Sequence, residues 1–252
     1  MKARCLFIFG CTFVLWAPLN ICKAQTLRVA VAANLQGLIK TLGADFKNRT
    51  GIVVEPVIGS SGKLVAQISN GAPYDVFLSA DMAYPRKLSE NGMAEQAPVV
   101  YALGSLIICS NTPIPHSWQQ LIVSDKAQKV ALANPKLAPY GRAAIACLKK
   151  LNLLERIKPK MVYGESISQV NNYISTGAVT LCFTSQSAVK DAAGHSRLYW
   201  QLIDPGTYAP IEQGMVILKY ARLHEKAARR FYNYMLGAHD KNILKKYGYV
   251  VP

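Results

Sequence analysis

Neutral hydrogen-bonding residues stand at several turns where a predicted strand is followed by a predicted helix. The N-terminus of a helix carries backbone N–H groups without intrahelical partners and the positive end of the helix dipole, so such a turn can bind an anion. These residue types are also ordinary helix N-caps, so one such turn alone indicates only the start of a helix. Several of them facing one cleft on a basic protein would form an anion site. The residues are Asn34, Ser60, Ser61, Ser166 and Thr184.

The sequence lacks the motifs of the common catalytic and metal sites. The run from Gly59 to Lys63 is too short for a phosphate-binding loop, and Leu64 stands where that loop requires Ser or Thr. No GxSxG motif accompanies a plausible His and acid, and no HxxxH or HExxH motif occurs. The 14 acidic residues are scattered, which does not support paired-carboxylate chemistry. We therefore expect a binding protein rather than an enzyme, with no cofactor.

The first 24 residues have the layout of a secretory signal peptide. Two basic residues precede an almost charge-free apolar run from 5 to 21, and Ala24 offers a small residue at the cleavage position. Cleavage after Ala24 would deliver the mature chain to the periplasm. An uncleaved membrane anchor is the alternative, although the run is shorter than the ~20 residues of a membrane span. A lipoprotein signal at Cys22 is less consistent, because bulky Ile21 stands where lipidation signals need a small residue.

The chain is basic, with 29 Lys and Arg against 14 Asp and Glu and a formal charge of +15. Three cations leave with the predicted signal peptide, which gives the mature chain +12. Its Lys and Arg run no longer than pairs such as Lys149-Lys150, whereas nucleic-acid binding favours dense basic runs interleaved with aromatics. We expect no nucleic-acid partner, and the positive charge would instead attract a small anion.

Three cysteines remain in the mature chain, and none is near another in sequence. Cys109, Cys147 and Cys182 each lie within an apolar segment, and their spacing excludes a CxxC metal site or a disulfide framework. We expect them to be buried as small hydrophobic residues. A disulfide between two of these cysteines remains an alternative, because the predicted compartment is oxidising.

Short β-type runs alternate with helix-like segments along the mature chain, which is typical of an α/β fold with mainly parallel sheets flanked by helices. Two such blocks, residues 25–102 and 103–205, predict two lobes. The tail, residues 206–252, has too few strands for a third domain, so we expect it to return to the first lobe. Two chain crossings would then form a hinge. Within this pattern, a single strand is predicted over 103–109 and a turn at Thr184-Ser185.

Five stretches of the sequence resemble the periplasmic molybdate-binding proteins of ABC importers, and they span essentially all of the mature chain in the right order. The resemblance implies the two-lobed fold of a type II solute-binding protein, with the ligand cleft between the lobes. It also implies that the chain captures molybdate or tungstate and delivers it to the membrane permease of an ABC importer. We expect the protein to be a monomer. The stretches are VAVAANLQGLIKTLGADFKNRTG (29–51), GSSGKLVAQISNGAPYDVFLSAD (59–81), ANPKLAPYGRAA (133–144), YGESISQV (163–170) and ILKKYGYVVP (243–252).

The resemblance also implies which residues bind the oxyanion, with no direct bond from the protein to the metal. Ser61 would donate through its hydroxyl and its N–H, and Asn34 matches a polar ligand position after the first strand. Tyr140 and Ile167 would contribute backbone N–H groups. Three further positions are Ala33, Ser60 and Thr184. Some members have Thr at the position of Ala33 and Tyr at the position of Thr184, and Ser60 flanks Ser61.

Donor groups without acceptors suit a particular kind of anion. Molybdate and tungstate are tetrahedral dianions without a proton near neutral pH, so they need donors only. A protonated phosphate would need an acceptor as well, and none of the ligand positions that the resemblance implies is acidic. Two alternatives stay open. One is another oxyanion, such as sulfate or a phosphonate, because pocket size is not visible in sequence. The other is an exported ligand-sensing module. It would bind the same kind of ligand and differ only in its partner, so the ligand site does not distinguish it.

Overall fold

The structure, a computed structural model, describes residues 25–192 and 198–251. The predicted signal peptide lies outside these residues. Two five-stranded sheets, each flanked by helices, form two lobes, as the alternating sequence pattern predicts. The strands are β1 (Thr26–Ala32), β2 (Val53–Gly59), β3 (Val76–Ser79), β4 (Val99–Gly104), β5 (Leu106–Ser110), β6 (Val130–Ala133), β7 (Met161–Gly164), β8 (Leu181–Ser185), β9 (Tyr199–Leu202) and β10 (Ile211–Ile217). The helices are α1 (Gln36–Thr50), α2 (Ser61–Ser69), α3 (Ala83–Glu90), α4 (Trp118–Val123), α5 (Pro139–Lys150), α6 (Leu154–Ile157), α7 (Ile167–Ser175), α8 (Gln186–Ala192), α9 (Glu225–Leu236) and α10 (Ala238–Lys246).

Both sheets are mixed, but in each sheet four of the five strands run in the same direction, which agrees with the prediction of mainly parallel sheets. Lobe 1 holds the sheet with strand order β2-β1-β3-β10-β4, and lobe 2 holds the sheet with order β7-β6-β8-β5-β9. The first three strands of each sheet are parallel to one another. Strand β10 in lobe 1 and β5 in lobe 2 run antiparallel to both neighbours. Each of these two strands follows a chain crossing, so it enters its sheet from the opposite end.

The chain crosses between the lobes at Ser105 and again over residues 203–210. The prediction of one strand over 103–109 is therefore wrong, because β4 ends in lobe 1 and β5 begins in lobe 2. The break falls at Gly104, where a side chain would collide with the hydroxyl of Tyr140 and lie 2.9 Å from Gln213 Nε2. Two such crossing segments are the arrangement that a hinge between the lobes requires.

Helix α1 begins shortly after strand β1, and its sequence shows why. Its apolar residues recur at helical spacing, and Leu38, Leu42 and Phe46 are buried in the core of lobe 1. The helix ends at Gly51, whose φ of 74° is the left-handed conformation that glycine adopts without steric cost. At its other end, one 3-10 turn (Ala33–Leu35) is all that separates it from β1. The end of β1 is thereby fixed directly beside the start of a helix.

The core of lobe 2 contains the three cysteines of the described residues. Cys109, Cys147 and Cys182 are buried and free, which confirms their prediction as buried residues. Within the two described ranges, no helix is both long and apolar enough to cross a membrane.

Candidate anion site between the lobes

Four helix N-termini meet at one small cavity between the lobes. Two belong to lobe 1, the 3-10 turn before α1 and the start of α2, and two belong to lobe 2, the starts of α5 and α7. The space open to the centre of a water-sized sphere is only about 10 Å³, which is too little for an organic molecule. Its lining residues are all uncharged: Ala32, Ala33, Asn34, Ser60, Ser61, Ala80, Ala138, Pro139, Tyr140 and Ile167.

Lobe 1 contributes two serine hydroxyls to the cavity. Helix α2 begins at Ser61, and Ser60 precedes it as an N-cap whose side chain makes no capping bond. Ser60 Oγ is buried and has no hydrogen-bond partner among the described residues. Ser61 Oγ accepts a hydrogen bond from the Ala80 N–H at 3.0 Å, which leaves its own proton available for donation. Both serines can therefore donate to an anion held in front of α2.

Asn34 is held at the cavity by a buried hydrogen-bond network. Its Nδ2 donates to Gln213 Oε1 at 2.8 Å and to Tyr249 Oη at 2.7 Å. Gln213 is fixed in turn, because its Nε2 donates to the carbonyl oxygens of Ala80 and Ile211 at 3.3 and 3.1 Å. The two Nδ2 protons of Asn34 are thus in use. The donor that Asn34 can offer to an anion is its backbone N–H, within the 3-10 turn.

Lobe 2 contributes backbone N–H groups. Helix α5 begins at Pro139, which has no N–H, so Tyr140 is the first residue of that helix able to donate from its backbone. Helix α7 begins at Ile167, and its N-cap Ser166 uses the side-chain oxygen to accept from the Gln169 N–H at 3.4 Å. The side chain of Ile167 is apolar, so this residue can face an anion only through its backbone.

The side chain of Tyr140 reaches into lobe 1 behind the cavity, against Gly104 and Gln213. Burial raises the pKa of its hydroxyl well above the usual value, and the neighbouring Tyr249 and Tyr101 add to the rise. Burial and Tyr249 also raise the pKa of Tyr101. These phenols therefore stay neutral at physiological pH and bring no negative charge near the cavity.

The two lobes are in contact at the rim of the cavity. The N–H of Gly62 donates to the Leu137 carbonyl oxygen at 2.9 Å, and a side chain at Gly62 would lie 3.1 Å from the same oxygen. On the surface, Lys63 of lobe 1 forms an ion pair with Glu165 of lobe 2 at 2.8 Å. Glycine at position 62 thus permits the close approach, and the lobes are in a closed arrangement.

Asp81, which directly follows the cavity-lining residue Ala80, is paired with a cation. Burial raises the pKa of its carboxyl, whereas the Tyr84 N–H and the guanidinium of Arg142 act in the opposite direction. Asp81 of lobe 1 and Arg142 of lobe 2 form an ion pair. The carboxylate is therefore compensated across the cleft and does not present an isolated negative charge to an incoming anion.

The structure does not bring Thr184 to this cavity. The predicted turn at Thr184-Ser185 is wrong, because β8 continues to Ser185 and α8 begins at the next residue. Thr184 is buried within the strand, and its hydroxyl donates to Asn171 Oδ1 at 2.6 Å. It lines a different cavity, of about 380 Å³, together with Cys109. The other six predicted ligand positions all line the small cavity.

Sequence reasoning missed three residues that support the site from behind, namely Ser187, Gln213 and Tyr249. Ser187 Oγ donates to the Asn34 carbonyl oxygen at 2.6 Å, and the other two hold the Asn34 side chain. One signal was present in the sequence. Gln213 stands at the two-residue spacing that Ile211 and Met215 share in β10, which predicts a polar residue on an apolar face of the sheet. The structure buries it there, where it needs hydrogen-bond partners.

Comparison with known proteins defines the class. The family model for bacterial extracellular solute-binding proteins matches residues 27–250, and the chain belongs to this family. Among its relatives is the molybdate-binding protein ModA of Azotobacter vinelandii, 38% identical over 241 residues, which cover 93% of this chain and 94% of the relative. Another is the molybdate-binding protein ModA of Rhodobacter capsulatus, 37% identical over 222 residues, with 88% and 86% covered. The solved periplasmic molybdate-binding protein of Azotobacter vinelandii superposes with a TM-score of 0.84 at 33% identity, covering 90% of this chain and 99% of that one.

Proposed function

We propose that this protein binds molybdate in the cavity between its lobes and delivers it to the permease of an ABC importer. The observation that carries the proposal is the convergence of four helix N-termini on one uncharged cavity. Such N-termini stabilise a dianion through their N–H groups and their dipoles. The printed names of the two relatives support molybdate as the ligand. Tungstate has the same charge and shape, so we include it as a second ligand.

The proposed ligands combine serine hydroxyls and backbone N–H groups of lobe 1 with backbone N–H groups of lobe 2. Each charge-assisted hydrogen bond contributes about 1.5–3 kcal/mol. Four to six of them give a gross ~6–18 kcal/mol, part of which is offset by closing the lobes and immobilising the ion. Because both lobes donate, the bound ion favours the closed arrangement. The set is Asn34, Ser61, Tyr140 and Ile167, with Ala33 and Ser60 beside them.

The same donors account for selectivity against other oxyanions. A singly protonated phosphate must donate its own proton, and no carboxylate lines the cavity to accept it. Sulfate carries no proton, so size must exclude it, because a smaller tetrahedron reaches fewer donors at once. The closed contact between Gly62 and Leu137 limits how far the lobes can adjust to a smaller ion.

The proposed setting is the periplasm, reached by cleavage after Ala24, where the protein acts as a monomer. Mass spectrometry of the exported protein should then give a chain that begins at Gln25. Cells without the protein should lose molybdate uptake at low external concentration. Uptake that persists while a molybdate response is lost would favour the ligand-sensing module instead.

A thermal-shift screen of the mature chain tests the ligand. Molybdate and tungstate at about a thousand times their dissociation constants stabilise the fold by ~4 kcal/mol, a rise in Tm of about 8–16 °C. Sulfate and phosphate should give much smaller shifts at the same concentration. An equal or larger shift with sulfate or phosphate would transfer the assignment to that anion. No shift with any oxyanion would contradict the proposed function.

A further inference from the structure

Behind the anion cavity, the hydroxyl of Tyr249 meets groups from both lobes. It accepts a hydrogen bond from Asn34 Nδ2 at 2.7 Å and lies 3.2 Å from the Asn34 carbonyl oxygen. It also donates to Ser187 Oγ at 3.1 Å. Asn34 belongs to a turn that lines the cavity, and Ser187 belongs to helix α8 of lobe 2. Tyr249 itself does not line the cavity.

The bonds of Ser187 depend on the closed arrangement of the lobes. Its Oγ donates to the Asn34 carbonyl oxygen at 2.6 Å and lies 2.9 Å from Ser185 Oγ. The bond to Asn34 crosses from lobe 2 to lobe 1, and both residues are buried. Any opening that carries α8 away from Asn34 must break this bond and the bond to Tyr249.

The segment that carries Tyr249 is fixed firmly in lobe 1. Val250 and Leu103 of β4 exchange both backbone hydrogen bonds, at 2.7 and 3.0 Å. Gly248 has a φ of 85°, and a side chain there would lie 2.5–2.8 Å from Gln186 at the start of α8. Both the left-handed backbone and the close packing require glycine. The phenol of Tyr249 is thus held at the junction of the two lobes.

We propose that Tyr249 is a positioning residue that couples closure of the lobes to the presentation of the Asn34 N–H to the anion. This inference rests on the proposed function. In the closed form, Ser187 and Tyr249 together hold the Asn34 turn in place, so its N–H stays directed to the ion. On opening, the turn loses Ser187 and the hydroxyl of Tyr249 loses one partner. Release of the ion and loosening of its binding turn therefore occur together.

Tyr249→Phe tests this role because it keeps the ring and removes the hydroxyl. Its matched control is Tyr247→Phe, because the Tyr247 hydroxyl bonds Thr41 Oγ1 at 2.8 Å on the surface. We expect Tyr249→Phe to weaken molybdate binding about 5- to 50-fold, mainly through faster dissociation. Tyr247→Phe should bind molybdate within about twofold of the parent protein.

Two further readouts separate positioning from a general effect on stability. In a double-mutant cycle, Ser187→Ala and Tyr249→Phe should change the dissociation rate less than additively, because they remove a shared interaction. Small-angle scattering should show that Tyr249→Phe needs more molybdate than the parent to reach the smaller radius of gyration. A Tyr249→Phe protein that unfolds more easily but binds and releases molybdate like the parent would overturn the inference. A parent protein that binds no molybdate would instead overturn the proposed function, and this inference with it.

Discussion

Two regions of this protein bury polar groups beside a helix N-terminus, and they do so by opposite means. The anion cavity is lined by uncharged residues and takes its positive potential from four helix starts. The pocket at the start of α10 has charged residues in its lining, among them Arg49 and Arg230. It also contains Asp240, which is fully buried. The cavity is therefore lined by neutral groups that can donate to an anion, whereas the pocket buries a carboxyl group.

Because only the pocket buries a carboxyl group, a change of pH should alter the stability of the fold without altering the binding of the ion. Burial raises the pKa of Asp240 to about 7, helped by the charge of Asp45 and opposed by Tyr234 and Arg49. No residue that lines the anion cavity titrates near neutral pH, and molybdate has no proton there either. Affinity for molybdate should therefore stay constant between about pH 6 and 8, while the stability of the fold changes over the same interval.

The largest effect should follow from giving the neutral cavity a charge. In Ser60→Asp, the carboxylate faces a dianion at short distance, which costs several kcal/mol even at an effective dielectric constant of about 20. We expect at least a thousandfold loss of molybdate affinity by calorimetric titration. Ser60→Asn is the control, because Asn and Asp are equally good N-caps and only Asp is charged. Ser60→Asp that binds molybdate within tenfold of Ser60→Asn would show that this side chain does not face the ion.

The next effect concerns the hydroxyl of Ser61. Ser61→Ala should cost roughly 1.5–3 kcal/mol of binding, or about 10- to 150-fold in dissociation constant, because a charge-assisted bond is lost. Ser60→Ala is the adjacent comparison and should bind molybdate more nearly like the parent. Unfolding curves of both variants separate this loss from the effect on stability, since Ser61 also accepts from the Ala80 N–H. If Ser60→Ala is the more damaged in binding, the roles of the two serines are reversed.

The backbone donors of lobe 2 call for a different substitution. Ile167→Pro removes the N–H at the first position of α7, where proline is tolerated, and Ser166 already has the extended backbone that precedes proline. We expect about a 10- to 100-fold weaker affinity for molybdate, measured beside the unfolding curve. Ile167→Ala loses apolar packing but keeps the N–H, so it should bind more tightly than Ile167→Pro. Equal affinities of the two variants would exclude this N–H as a ligand.

The smallest effect concerns Asp240 in the pocket at the start of α10, and the change should leave the binding of molybdate unchanged. Since the pKa of Asp240 is raised in the folded state, its contribution to stability is present at low pH and is lost as the pH rises toward 7. The free energy of unfolding of the parent should fall by about 1–2 kcal/mol more than that of Asp240→Asn between pH 5.5 and 8. Parallel denaturant titrations check this. Identical pH profiles would show that Asp240 does not titrate in this interval.

The sequence allowed the fold class and the positions of most loops to be predicted, because both depend on local patterns. Alternating strand and helix runs predicted two α/β lobes, and the structure has two such lobes. The antiparallel direction of β5 and β10 was missed, because the direction of a strand depends on the end of the sheet at which the chain enters it. Thr184 was misplaced because β8 extends two residues beyond its last apolar position. A polar residue that continues a buried strand has the same local pattern as a turn residue.

The residues behind the site were missed for another reason. Asn34 is separated from Ser187 by 153 residues and from Tyr249 by 215. No periodicity or turn motif links positions so far apart, so their contact follows only from the packing of the two lobes. The resemblance that placed Asn34 and Ser61 in the ligand set is silent on what holds them. The resemblance thus indicated residues that line the cavity and missed those that fix them from behind.

The central claim is that one oxyanion is held by donors from both lobes. Anomalous X-ray diffraction at the molybdenum absorption edge, from crystals of the mature chain grown with molybdate, tests it most directly. The account predicts a single molybdenum peak in the small cavity, with oxygens within about 3.2 Å of Ser61 Oγ and of the backbone nitrogens of Tyr140 and Ile167. A peak in another cavity, or an ion in contact with one lobe only, would contradict it.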